Sequence, residues 1–183
     1  MQAFLTKEDY TKIYDLLANS TPLCGDCGQL CHAACCNAST ASHVEMGIYL
    51  YPGEHVMFEN TQDAFSWHEQ AAQDYDFPPS WHGNIHFLDC NGNCQRANRP
   101  LQCRFFPLSA HLTDDDKLQI IFETWDLPYT CPLIEDRMPI LPEYIANVYA
   151  AYSMLLRDPN IKALIKHDSA ERDIDDIYIL FSA

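Results

Sequence analysis

Positive charge is scarce in this chain: 11 Lys and Arg stand against 26 Asp and Glu in 183 residues, for a formal charge of −15 at pH 7. Nucleic-acid binding relies on Lys and Arg that displace counterions from phosphates, so the balance excludes nucleic acid as an expected partner. No apolar run approaches the roughly 18 residues needed to cross a bilayer, so no membrane is expected either. Met1 to Asp9 hold no basic stretch followed by an apolar one, which reads as the lack of a secretion signal and points to a cytoplasmic location. Only three valines occur, which weighs against an all-β architecture. No internal repeat, low-complexity tract or Gly/Ser-rich linker divides the chain, so one domain over residues 1–183 is expected. A chain of this length can bury about 70% of its unfolded surface, enough for one core without disulfide staples.

Cysteine is present in quantity. Nine are confined to residues 24–131, about 5% of the chain, which is below the density of small disulfide scaffolds. In a reducing compartment, clustered thiols more often hold metal than bond to one another. The distribution separates a site region, 22–132, from a helical C-terminal scaffold, 140–183.

The element pattern places these thiols. Thr6, followed by Asp9 and by Tyr10, Ile13, Tyr14 and Leu17 at helical spacing, predicts a capped helix ending near Ala18-Asn19. Gly47 to Tyr51 reads as a short apolar segment stopped by the Pro52-Gly53 turn, and Asp63 to Asp74 as a modest helix. Ile85 to Leu88 before Asn91-Gly92 predicts a strand entering a tight turn that Cys90 and Cys94 flank. Phe105–Leu112 and Leu118–Trp125, separated by Thr113 to Lys117, predict an antiparallel pair. A helix opening at Pro142 carries Tyr144, Ile145, Val148, Tyr149, Tyr152 and Leu155, and a shorter one restarts after Asp158-Pro159 through Ile165. Ile174 to Phe181 fits helix or strand. Helices at both ends around short antiparallel strand pairs give an α+β class with much irregular backbone organised by the cysteines.

The first cysteine cluster, Cys24-Gly-Asp-Cys27-Gly-Gln-Leu-Cys31-His-Ala-Ala-Cys35-Cys36, puts five thiols in thirteen residues. Zinc and iron–sulfur clusters both take four thiolates, and closely spaced pairs preorganise half a site. On a single helix, Cys27, Cys31 and Cys35 would face one side, drifting about 40° per four-residue step. Gly25 and Gly28 would let the backbone curl its amides towards the sulfurs. The second cluster, Cys90 and Cys94, is followed by Cys103 and Cys131, and loop closure over such distances costs only logarithmically more. Eight thiols would fill two four-coordinate sites.

The motifs Asp26-Cys27-Gly28-Gln29-Leu30-Cys31, Cys35-Cys36, Gly47 to Glu54, Cys90 with Cys94, Arg99-Pro100 and Cys103-Arg104-Phe105-Phe106-Pro107 together resemble a family described as zinc- or iron-chelating domains, named for its Cys-x-x-Cys to Cys-Cys cluster. A similar cysteine region occurs in flagellin lysine N-methylases. The resemblance spans about residues 22–132. It implies metal binding through Cys27, Cys31, Cys35, Cys36, Cys90, Cys94, Cys103 and Cys131. The member beside Cys27 is Cys31 or Cys24, and Leu30-Cys31 favours the former.

Among the other candidates, Arg104 beside Cys103 is placed to neutralise thiolate charge at the cofactor, with Arg96 and Arg99 nearby. His32 reads as solvent-facing. His82 and His86, four apart, sit among Pro and Gly that oppose an aligning helix. Glu45 and Glu54 read as solvated carboxylates, and Tyr144, Tyr149 and Tyr152 as core and rim aromatics. The expected function is metal handling or redox by a cysteine-rich, bacterial-type cytosolic protein whose partners are metal ions, with a protein partner allowed. The alternative is an enzyme or enzyme subunit that uses the centre, for example on protein side chains. Two closed Zn(Cys)4 sites would add −4 to a chain already at −15, which tilts the expected cofactor from zinc towards iron or an iron–sulfur cluster.

Overall fold

The computed structural model describes residues 3–36, 47–58, 66–89 and 96–182. Cys90, Cys94, Glu45 and the Asn91-Gly92 turn lie outside the described residues, as do positions 63–65.

The helices are α1 (Lys7–Leu16), α2 (Gly28–Cys31), α3 (Leu101–Phe105), α4 (Pro132–Glu135), α5 (Pro142–Leu155) and α6 (Pro159–Glu171). At the start of α1 the Thr6 hydroxyl accepts the Asp9 N–H at 3.2 Å, and the Asp9 carboxylate accepts the Thr6 N–H at 3.0 Å. This reciprocal capping satisfies two donors that a helix end leaves open. Tyr10, Ile13, Tyr14 and Leu17 are buried, as their spacing predicts. Proline opens both α5 and α6, where its missing N–H costs nothing. The Asp158 side chain caps α6 through the N–H groups of Asn160 and Ile161, and its other oxygen takes the Phe4 N–H at 2.9 Å. That carboxylate ties the N-terminal segment to α6, which runs six residues past Ile165 to Glu171.

Two antiparallel three-stranded sheets lie between the helices. The first has the order β1 (Gly47–Tyr49), β3 (Asn84–Asp89), β2 (Ser66–Ala71). At Gly47 the Phe87 ring and the Leu88 carbonyl occupy the space that a side chain would need. The second sheet has the order β4 (Leu108–Leu112), β5 (Leu118–Phe122), β6 (Ile179–Ser182). The fold is α+β, and β4–β5 is the antiparallel pair the sequence predicts.

One expectation changes and one open segment is decided. Over the described residues 66–74, the helix expected over 63–74 is replaced by β2 and a 3-10 turn at Ala72–Asp74. β3 offers a free edge, and β2 pairs with it over six residues, from Ser66 opposite Asp89 to Ala71 opposite Asn84. The Asn84 side chain donates to the Glu69 carboxylate at 2.7 Å, and Ser66 donates to Asp89 at 3.1 Å. Cross-strand pairing of this kind outweighs the helical preference of Glu, Gln and Ala. The segment 174–181, open between helix and strand, forms a 3-10 turn at Ile174–Asp176 and then β6, which completes the free edge of β5.

One apolar cluster joins α1, both sheets and the C-terminal helices through Ile13, Leu17, Leu88, Ile120, Val148, Leu155 and Leu164. α5 packs on β4, β5, β6 and α1, while α6 packs on β4. Each such side chain, fully buried, contributes about 1.5–3 kcal/mol.

Glu54 is a second change. Gly53 adopts φ +86°, a left-handed turn residue that starts the 3-10 turn Glu54–Met57 and sends the Glu54 side chain inward, fully buried. One carboxylate oxygen accepts the Tyr14 hydroxyl at 2.6 Å and the Leu101 N–H at 2.8 Å; the other accepts the Tyr51 N–H at 2.9 Å. Burial pushes its pKa up, against the opposing pull of these three donors and Arg104. Instead of being solvated, Glu54 fastens α1 to the start of α3 and so fixes where Cys103 sits.

Candidate thiol centre and adjoining cavity

Cys27, Cys31 and Cys35 do not share one helix. α2 ends at Cys31 because His32 and Ala33 take left-handed conformations, φ 52° and 54°, and helical backbone resumes only at 34–36. The three nevertheless converge. Together with Cys131, whose backbone leads into α4, they line a small pocket of about 20 Å³ closed by Leu30, Phe106, Tyr129 and Leu133. Cys131 comes from a distant stretch and is buried, Cys27, Cys31 and Cys35 are half-buried, and Cys24 is exposed and off the pocket wall. The Gly28 N–H donates to the Asp26 carboxylate at 2.9 Å, so this amide does not turn to the sulfurs as the sequence suggested.

Cys35 also lines a second, larger cavity of about 560 Å³, together with Cys36 and Cys103. The Cys35 and Cys36 sulfurs are 4.0 Å apart, and their hydrogen bond holds the Cys35 thiol below its ordinary pKa against the opposing effect of burial. Burial pushes the Cys27 thiol up, with Asp26, Cys131 and Cys31 adding to the effect. Cys131 is likewise raised by burial, while the N–H groups of Leu133 and Ile134 pull the other way. These opposite shifts make Cys35 the thiol most easily ionised among the three.

Arg104 is buried, and its donors are spent on backbone: Nε on the Arg99 carbonyl at 2.8 Å and Nη2 on the Ala97 carbonyl at 2.7 Å. Its guanidinium lies 4.5 Å from the centre of the Tyr14 ring. Arg104 thereby holds the 96–99 segment, and the charges of that segment act on the thiols: Arg96 opposes the rise of the Cys27 pKa, and Arg99 adds to the lowering at Cys35. Arg96 also donates to the Ser20 carbonyl. His32 is exposed, and the His86 ring lies against that of His55, centroids 4.0 Å apart and tilted by 33°, rather than pairing with His82. Burial and the neighbouring His55 hold the His86 pKa down.

Tyr129 went unnoticed in the sequence. It lines both spaces, and burial together with Cys35, Cys103 and Cys131 pushes its hydroxyl pKa up. Arg172, Glu123 and Asp168, which also line the larger cavity, carry no local motif. A Pro-flanked aromatic two residues before Cys131 was the only hint at Tyr129.

Soft thiol donors from distant stretches are the chemistry that zinc and iron–sulfur clusters use, and in kind the donor set fits either. Among the described residues no three Cys, His, Asp or Glu side chains stand at spacing to hold one ion. Among them, too, no helix is long and apolar enough to cross a membrane. No described family, curated protein or solved structure matches the chain, so the resemblance to chelating domains rests on its motifs. Fold and site define an α+β protein with a cysteine cluster between two helical turns and a large cavity against it.

Proposed function

We propose that the chain binds zinc or iron through thiolates and serves metal handling or redox chemistry. The observation that carries this reading is the convergence of Cys27, Cys31 and Cys35 with Cys131 around one small pocket, a set that local sequence cannot bring together. Four thiolates are the donor set of a single tetrahedral zinc or iron ion, and because the sulfurs do not stand at coordinating spacing, binding would draw them in around the space of about 20 Å³ that they line. A polynuclear cluster would need more room. Cys36 and Cys103, which line the larger cavity, are with Cys90 and Cys94 the remaining proposed ligands, enough for a second site. Arg96 and Arg99 offset thiolate charge, and Arg104 acts by holding their segment.

The test is metal content per chain, with visible spectrum and acid-labile sulfide, on protein purified without oxygen. Cys27→Ser, Cys31→Ser, Cys35→Ser and Cys131→Ser are each expected to lower it, and Cys24→Ser to leave it unchanged. Full metal content in Cys131→Ser would reject the reading.

A second reading, an enzyme that uses the centre, draws on Cys35, Cys36 and Cys103 lining a space of substrate size beside Arg99. Exogenous azide or imidazole shifting the spectrum of the metal-loaded protein would support an open coordination position and this reading.

A further inference from the structure

The 560 Å³ cavity falls within the range of small-molecule sites, and its wall is mostly apolar with a few polar groups gathered in one part. Aromatic side chains form part of the wall: Tyr49 meets Phe77 edge-on at 4.9 Å, and Phe77 is itself stacked on Trp81 at 4.6 Å. Tyr152 adds a further ring from α5. The polar part holds Asp168 on α6, Arg172 just beyond it, Glu123 after β5 and Asp76 from the segment after β2.

The charges there do not cancel. The Arg172 side chain is 1% exposed: Nε donates to the Thr124 hydroxyl at 3.2 Å and Nη2 to the Ser109 hydroxyl at 2.8 Å and Glu123 at 3.2 Å, while Nη1 is buried with no hydrogen-bond partner among the described residues. Its charge is answered by Glu123. Asp76 is paired with His167 at 3.5 Å, and among the described residues no ion pair ends on Asp168. One half-buried carboxyl group therefore lines the cavity with no ion pair of its own among the described residues, its nearest cation, Arg172, being engaged by Glu123, in a chain with a large negative excess. Aromatic faces and a carboxylate both attract a positive charge.

We propose that this cavity binds a small organic cation, an amine on an aromatic or bulky apolar body, with its ammonium at Asp168 and its body against Tyr49, Phe77 and Tyr152. This goes beyond the metal reading and does not depend on it, because none of these groups is a proposed metal ligand. Burial, followed by the opposing Arg172 and then Glu123, His167 and Asp76, sets the Asp168 pKa at about 6, so the carboxyl is mostly ionised at neutral pH.

The experiment titrates the whole 183-residue chain, as isolated, with three probes of similar shape: 2-phenylethylamine, 2-phenylethanol and 3-phenylpropionate, read by calorimetry near neutral pH. The amine is expected to bind at least about tenfold more tightly than the alcohol or the acid. Asp168→Asn is expected to lower amine affinity about tenfold and leave alcohol affinity unchanged, and wild-type affinity for the amine to fall as pH drops below about 6. The pH titration needs no variant, so it tests the inference even where the variant folds poorly. Equal binding of amine and alcohol, tighter binding of the acid, or no heat with the amine at millimolar concentration overturns the proposal.

Discussion

The Tyr14 hydroxyl donates to Glu54 at 2.6 Å with both groups buried, a bond between α1 and the turn after β1 that spans forty residues of sequence. Glu54→Ala would leave that hydroxyl and the N–H groups of Tyr51 and Leu101 without their acceptor. Unsatisfied buried donors cost about 1–3 kcal/mol each, and together a loss of about 3–5 kcal/mol is expected. Tyr14→Phe removes one bond and is expected to cost about 1 kcal/mol. Urea denaturation of the two variants checks the order; a smaller loss in Glu54→Ala than in Tyr14→Phe would contradict it.

Asp168 makes stability depend on pH. Its folded pKa of about 6 lies above the ordinary 3.8, so the folded state holds the proton more tightly than the unfolded chain. Its contribution is fully present below 3.8 and is lost as pH rises through about 6. Asp168→Asn is expected to melt at a higher temperature than wild type at pH 8 and to lose this part of the pH dependence. Melting curves from pH 4 to pH 8 decide it, and parallel curves for the two proteins would refute the assignment.

The Thr6 cap acts at one helix end only. Thr6→Ala should destabilise by about 1 kcal/mol, because it removes the hydroxyl that accepts the Asp9 N–H and donates to the Asp9 carboxylate, while the Thr6 N–H keeps its bond to that carboxylate. Thr6→Ser should retain most of that stability. Chemical denaturation of the pair reads the difference directly.

Metal removal should loosen the front of the chain first. Residues 22–100 carry Gly, Pro and polar residues in short elements, whereas α5 contributes Tyr144, Val148, Ala151, Tyr152 and Leu155 to the core. Ligands gathered from separate stretches couple binding to folding. Chelator-treated protein is expected to be cut by protease within 22–100 while α5 remains protected, as mass spectrometry of the fragments would show. Identical digestion with and without metal would count against the coupling.

Where local chemistry dominates, the sequence alone set the structure. Thr6 and Asp9 specify the cap of α1, Asp158-Pro159 specifies the start of α6, and the alternation around Thr113 to Lys117 specifies β4 and β5, because each rests on bonds or side-chain periods among near neighbours. The crowding of thiols in 24–36 was legible for the same reason. The tertiary structure alone decided what depends on distant partners. β2 is a strand because β3 presents an edge, and Glu54 is buried because Tyr14, Tyr51 and Leu101 bring it three donors. Cys131 joins Cys27, Cys31 and Cys35 although α2 breaks after Cys31, and Asp168 comes to face Tyr49 and Phe77 across one cavity. Burial and long-range contact are properties of the packed chain, and no window of neighbouring residues contains them.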